Sequence, residues 1–375
     1  MERTKGWFAF RRLPGSDITF LKHTNDMKKS LLLFALLLLT GQSFAQIVDS
    51  AAVAKQVDSL IQVARVLTGK REIDKALEVG AVAERLALER FGRESAAYGS
   101  ACFIHGGVLH AKGVYPEAEK WYLEVKAIRE KVLGKNHLDY AKTLNNLANL
   151  SEAMGNYEKA EVLHLEAKTI REKVLGKEHP DYARSLSNLG SLYFYWSAFE
   201  KSESLFLEAK SIIGKSLGKG HLDYSGVLNN LAGVYWKMGD YEKAELLYLE
   251  AVAIRKKSQG TEHLEYRQSI DNLSVLYSKI GNYEKAELLN LEAQAILGKT
   301  LGKENPDYAN SLINQAYVFF ENARYDKSEP LYLEAKTIRE KALGKKHPEY
   351  ANILNSLAIL YWVFNNFAAA KPYLL

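Results

Sequence analysis

The chain has 375 residues, of which 47% are hydrophobic, and it carries 50 Lys and Arg against 45 Asp and Glu. This composition is that of a folded protein and excludes both wholesale disorder and a collagen-like fibre. The single cysteine excludes an intramolecular disulfide framework and a cysteine-rich zinc site. Most of the net charge of +5 lies in residues 1–45, so the remainder is nearly neutral and does not indicate a nucleic-acid partner.

Residues 27–45 have the layout of a secretory signal peptide. Met27 is followed by two lysines and by an unbroken apolar run from Leu31 to Leu39, and small residues precede a predicted cleavage after Ala45. The apolar run is too short to cross a bilayer as a helix, which takes about 20 residues. The sequence therefore predicts an exported protein, periplasmic or extracellular, with no membrane span after signal removal.

Residues 1–26 precede the residue at which a signal peptide would begin. We interpret this stretch as an upstream extension assigned in error, and a long n-region is the alternative. In either case residues 1–45 are excluded from the analysis of the fold, which starts at residue 46.

From about residue 50 onward the sequence repeats itself every 42 residues without insertion. The string LGKEHPDYA at 175–183 recurs in altered form at 133, 217, 259, 301 and 343. The string YEKAE at 157 recurs unchanged at 241 and 283 and in altered form at 115, 199 and 325. A fixed period predicts stacked structural repeats, and the region 46–375 holds seven full repeats and a truncated eighth.

Each repeat is predicted to consist of two helices. Apolar residues follow helical spacing from Pro180 onward, a glycine such as Gly155 closes the first helix, and the second helix starts at Tyr157 and ends before Gly176. Small residues recur where the paired helices must approach, for example Ala148. Because no segment has the pattern of a strand, the predicted fold class is an all-α solenoid of helix-turn-helix repeats.

Five of the nine histidines share one position just before the first helix of a repeat: His137, His179, His221, His263 and His347. Successive copies would lie roughly 10 Å apart, the spacing of packed helices, whereas a metal needs several donors at about 2 Å. We therefore expect a helix-entry role and predict no metal site and no cofactor. Cys102 lies in an Ala/Gly/Ile stretch and is predicted to be a buried apolar residue.

The repeat pattern LNNLAxxYxxxGxYxxAxxLxxxA resembles the tetratricopeptide repeat (TPR). The longer unit, with its HPDYA start and IREKxLG end, is similar to the 42-residue repeats of the kinesin light chain type and to bacterial arrays ahead of CHAT (caspase-like) peptidase domains. The resemblance covers about residues 50–375. It implies a right-handed superhelix whose first helices line a concave groove that binds peptides or partner proteins.

An asparagine recurs at one position of the first helices: Asn146, Asn188, Asn230, Asn272 and Asn314. Asparagine is a middling helix former, so its recurrence needs another reason. In TPR proteins the matching asparagine faces the groove and often hydrogen-bonds a peptide backbone, which the resemblance implies for these five residues. A ladder that bonds the neighbouring helix is the alternative.

Six residues after the asparagine, four of six repeats carry an aromatic residue: Phe194, Trp236, Phe320 and Trp362. We expect Phe194, Trp236 and Phe320 to form an apolar floor of the groove that accepts a peptide side chain. Packing between adjacent first helices is the alternative.

The sequence contains no GxSxG, HExxH, Walker or GxGxxG motif, and it is predicted to be a non-catalytic scaffold for a peptide or partner protein. Two alternatives stay open: the N-terminal regulatory region of a larger, truncated CHAT-type peptidase protein, and an assembly protein that uses exposed solenoid ends. The repeat frame would extend about eleven residues past Leu375. We therefore expect a fragment that self-associates through its open C-terminal end.

Overall fold

The computed structural model describes residues 50–363 and 365–373, so the predicted signal peptide and upstream extension lie outside the described residues. The first helices of the repeats are α1 Ser50–Gly69, α3 Ala96–Lys112, α5 Leu138–Ala153, α7 Pro180–Tyr195, α9 Leu222–Met238, α11 Leu264–Lys279, α13 Pro306–Glu321 and α15 Pro348–Val363. The second helices are α2 Ile73–Phe91, α4 Tyr115–Leu133, α6 Tyr157–Leu175, α8 Phe199–Ser216, α10 Tyr241–Gln259, α12 Tyr283–Thr300, α14 Tyr325–Leu343 and α16 Phe367–Ala370, and a 3-10 turn Lys371–Tyr373 follows.

No strand occurs in the described part of the chain, and the predicted all-α class is confirmed. Among the described helices, none combines the length and the apolar composition needed to span a bilayer. The helices form two compact units that divide between Ile170 and Arg171, inside α6. Within each unit, a second helix packs on the first helix of its own repeat and on the first helix of the next repeat.

The repeated histidines cap the first helices, as predicted. The Nδ1 atom of His137 accepts a hydrogen bond from the Asp139 N–H at 3.1 Å, and the same bond occurs at His179, His221, His263 and His347. In the seventh repeat the side chain of Asn305 accepts the corresponding bond at 2.9 Å. Each cap provides a partner for one of the backbone N–H groups that a helix leaves unpaired at its start.

Small side chains lie where the two helices of a repeat come closest. Ala148 and Ala160 are fully buried, and a Cβ atom added at Gly190 would lie 3.0 Å from the ring of Phe206. Sixteen residues after the small residue, on the second helix, four repeats carry a bulky aromatic side chain: Tyr122, Phe206, Tyr248 and Tyr332. A small residue on the first helix thus makes room for a large one on the second.

Most of the first helices are followed by a residue with left-handed backbone conformation, which ends the helix. Gly155 and Gly239 have φ angles of 78° and 86°. In the fourth and seventh repeats, Ser197 and Ala323 take the same region with φ angles of 62° and 54°. Because a Cβ atom makes this region unfavourable, these two turns are held by the packing of the helices on either side.

A buried arginine connects neighbouring repeats. The Arg255 guanidinium, on α10, donates to the Glu265 carbonyl at 2.6 Å, to the Ser269 hydroxyl at 2.7 Å and to the Ser225 hydroxyl at 3.1 Å. Equivalent bonds from Arg129 and Arg339 reach the backbone carbonyls of Asp139 and Glu349. One repeat before Arg255, the positions of Arg255 and Ser269 hold Ile213 and Val227, which are both fully buried.

We expect Arg255→Ala to lower the free energy of unfolding by about 2–4 kcal/mol, because it leaves a cavity and strands the Ser269 hydroxyl and the Glu265 carbonyl. The double variant Arg255→Ile with Ser269→Val reproduces the pair Ile213 and Val227 and should recover most of that loss. Urea unfolding followed by circular dichroism measures both. A double variant no more stable than Arg255→Ala would show that the arginine bonds cannot be exchanged for apolar contact.

Candidate functional site

The five asparagines lie in the middle of the first helices of repeats three to seven, and they differ in exposure. Asn146, Asn188 and Asn314 are half-buried, whereas Asn230 and Asn272 expose only 6% and 7% of their surface. The identical sequence position therefore has two environments. In the fifth and sixth repeats the amide is covered by its neighbours, and in the third, fourth and seventh it reaches the surface.

Two of the asparagines bond side chains of the preceding repeat. In the first unit, the amide nitrogen of Asn146 donates to the Tyr122 hydroxyl at 3.2 Å. In the second unit, the Asn314 amide hydrogen-bonds the Asp271 carboxyl. At these two positions the amide supports the contact between repeats, which is the role that the alternative hypothesis assigns to the ladder. The peptide-binding role of the five asparagines stays a prediction.

The aromatic position packs against the start of the second helix in its own repeat. The rings of Phe194 and Phe199 are 5.9 Å apart, and those of Phe320 and Tyr325 are 5.6 Å apart. Phe199 and Tyr325 begin α8 and α14. Phe194 exposes only 6% of its surface, while Phe320 and Trp236 are half-buried. The edge-on and tilted contact of these rings within a repeat is thus a third arrangement, in addition to the groove floor and the packing between first helices.

The first helices of the fifth and sixth repeats are covered along most of their length. Every residue from 223 to 235 in α9 and from 268 to 278 in α11 is buried. A ligand cannot contact Asn230 or Asn272 without a change in the surrounding helices. Accessible candidates in the second unit are therefore Asn188, Trp236, Asn314 and Phe320.

Lys237 lies against the accessible indole of Trp236 and feels the charge of Lys279, and the sequence analysis did not identify these two lysines. Lys237 and Lys279 occupy one repeat position, directly after the aromatic position. Burial lowers the pKa of Lys237, and the charge of Lys279 lowers it further. The Lys237 ammonium also lies 4.2 Å from the centroid of the Trp236 ring. An anionic group placed here would relieve the repulsion between the two lysines. The sequence signal was a lysine repeated at the 42-residue interval.

Apolar side chains are exposed at the end of α15 and the start of α16. Trp362 exposes 65% of its surface, Phe367 exposes 59% and Ile359 exposes 39%. A contiguous exposed apolar patch often marks a surface that associates with another protein. They lie in the repeat for which the sequence predicts self-association.

A family model of the tetratricopeptide repeat matches residues 100–164, 142–215, 223–299 and 307–375, which together exceed half of the chain. The chain belongs to the tetratricopeptide repeat family. The predicted TPR membership is thus confirmed, and the helix pairs described above are TPR units.

Among solved structures, the chain is similar to a putative kinesin light chain with nearly identical TPR-like repeats from Podosopora anserina, at 25% identity and a TM-score of 0.47 over 55% of this chain and 97% of that one. It is also similar to BtubC (BKLC) from P. vanneervenii, at 24% identity and a TM-score of 0.48 over 63% and 92%.

A third similar structure is aspartyl phosphate phosphatase F from Bacillus subtilis, at 12% identity and a TM-score of 0.57 over 88% of this chain and 94% of that one. At this identity the likeness shows the fold alone. A comparison with curated protein sequences returned no match.

Proposed function

We propose that the chain is an exported, non-catalytic scaffold that binds a peptide or a partner protein along the first helices of its repeats. TPR repeats are protein-interaction modules, and this family membership covers more than half of the chain. The observation that carries the proposal is the accessible part of the second unit, where half-buried amides and aromatic rings lie on the repeated first helices. An amide offers both a donor and an acceptor to a peptide backbone.

The charge beside this surface favours an acidic ligand. The positive charge of Lys279 disfavours the charged form of Lys237, and the Lys237 ammonium lies 4.2 Å from the centroid of the Trp236 ring. A peptide with an Asp or Glu side chain would neutralise the pair and place its apolar neighbour on the indole.

We expect Asn188→Ala to weaken peptide binding by several-fold, since a lost hydrogen bond is worth about 0.5–1.5 kcal/mol. The probe is a displayed library of random peptides panned against the full chain, followed by calorimetric affinities of the selected peptides. These peptides should be rich in Asp and Glu, and their affinity should fall with added salt.

Asn272→Ala is the matched control for this binding prediction. Asn272 has the same repeat position but exposes only 7% of its surface, so its replacement should lower the melting temperature and leave the affinity of the folded protein unchanged. Equal losses of affinity in the two variants would contradict the groove assignment. The groove assignment would also be contradicted if Asn188→Ala lowered the melting temperature without changing the affinity, because the ladder would then be structural.

Export is proposed from the arrangement of residues 27–45 alone. When the full chain is produced in a bacterial host with a C-terminal tag, we expect the mature protein outside the cytoplasm with Gln46 as its first residue. N-terminal sequencing of the tagged protein measures this. Recovery of an unprocessed chain from the cytoplasm would contradict the signal-peptide interpretation.

We also propose that the exposed side chains of the eighth repeat mediate self-association. Light scattering should show a mass that rises with concentration, and Trp362→Ser with Phe367→Ser should reduce it, because the two side chains expose 65% and 59% of their surface. The control is Leu246→Ser, since Leu246 is 69% exposed on α10. Loss of association in the control alone would place the contact on the second helices.

The alternative of a regulatory region in a larger CHAT-type peptidase protein stays a prediction. The genomic sequence downstream of Leu375 tests it directly, because it would have to encode a peptidase domain.

A further inference from the structure

The third repeat contains a fully satisfied polar network in its core. His164, on α6, is completely buried. Its Nδ1 atom lies 3.0 Å from the Asn145 amide oxygen, and its Nε2 atom lies 2.8 Å from a Glu152 carboxylate oxygen. Asn145 and Glu152 are both on α5 and are themselves buried. The large side chain of the second helix thus reaches two polar residues on the first helix of the same repeat.

In the sixth repeat the same three positions hold Asp271, Ser278 and Asn290. They expose 5%, 1% and 0% of their surface. Asn290 occupies the place that Tyr248 and Tyr332 hold in the two adjacent repeats. An asparagine side chain is much shorter than a tyrosine and is polar, as are those of Asp271 and Ser278.

Four polar atoms at these three positions are buried and have no hydrogen-bond partner among the described residues, while Asp271 Oδ2 is bonded by Arg267. The four atoms are Asp271 Oδ1, Ser278 Oγ and both amide atoms of Asn290. A buried polar atom without a hydrogen-bond partner destabilises the folded state, and such atoms are rare in folded proteins. No hydrogen bond joins any two of these four atoms, whereas in the third repeat the corresponding positions meet at the His164 imidazole. A partner placed where that imidazole lies could therefore bond them.

We propose that the core of the sixth repeat binds ordered water at the place where the third repeat has the His164 imidazole. Water can donate to Asp271 Oδ1 and to the Asn290 carbonyl oxygen, and it can accept from the Asn290 amide nitrogen. Buried waters in proteins usually make two to four such bonds to polar groups that would otherwise lack a partner. This inference does not depend on the proposed function.

The charge balance favours water over a cation. Asp271 Oδ2 lies 2.5 Å from a guanidinium nitrogen of Arg267, four residues earlier on α11, so the carboxylate already has a positive partner. Burial raises the pKa of Asp271, while Arg267 and the Asn314 amide oppose that shift. A second positive charge at this buried place would add repulsion from Arg267.

The test is a crystal structure of the full chain at a resolution that shows ordered water. We expect density bonded to Asp271 Oδ1, Ser278 Oγ and the Asn290 amide. Nuclear Overhauser contacts between water and the Asn290 side-chain amide in solution provide a second measurement. Direct bonds among the three side chains with no density between them would overturn the proposal, as would short metal-like distances and a dependence of the melting temperature on sodium or ammonium.

The matched variant is Ser274→Ala with Asn290→Tyr, which reproduces the pairs Ala232 with Tyr248 and Ala316 with Tyr332. It should displace the water and raise the melting temperature by about 2–4 °C, because a phenol ring fills the space and its hydroxyl can donate to Asp271. The reverse variant Tyr248→Asn should create a comparable hydrated space in the fifth repeat and lower the melting temperature. Water density that remains beside residue 290 in the Ser274→Ala, Asn290→Tyr variant would contradict the proposal.

Discussion

The packing of first helices against second helices within each unit is the constraint on which the rest of this structure depends. A single pair of helices cannot cover its own apolar face, so each repeat needs a neighbour. Polar groups on the buried faces of the first helices therefore need hydrogen-bond partners inside the protein. The second unit shows the consequence most clearly, because α9 and α11 are buried almost throughout their central turns.

The hydrogen-bond partners of buried polar groups in this protein differ from repeat to repeat. The Arg255 guanidinium donates hydrogen bonds to a backbone carbonyl and two hydroxyls. One repeat earlier the same position holds the buried Ile213, which has no polar side-chain group that needs a partner. His164 is matched by a carboxylate and an amide, while Asn290 has no such match. Because the backbone frame is the same, these repeats form an internal mutational series in which side-chain chemistry is the variable.

The same constraint limits what the asparagine ladder can do. An amide that binds a peptide must be open to solvent before the ligand arrives, and an amide that joins two repeats must not be. Asn188 meets the first condition, while Asn272 exposes only 7% of its surface and Asn314 is already engaged with Asp271. Binding in the second unit would therefore be concentrated in a few repeats and would not extend evenly along the array.

The period, the helix pairs and their ends are all evident in the amino-acid sequence. The second helix predicted to start at Tyr157 and to end before Gly176 is α6 Tyr157–Leu175, and the histidines predicted to enter the first helices are their caps. These features follow from bonds within four residues and from residue type, so a periodic sequence shows them directly. Which asparagines are open and where the ring of Phe194 packs were decided only by the tertiary structure. Exposure depends on the distance between helices 42 residues apart in the chain, and that distance is set by the side chains of several repeats together.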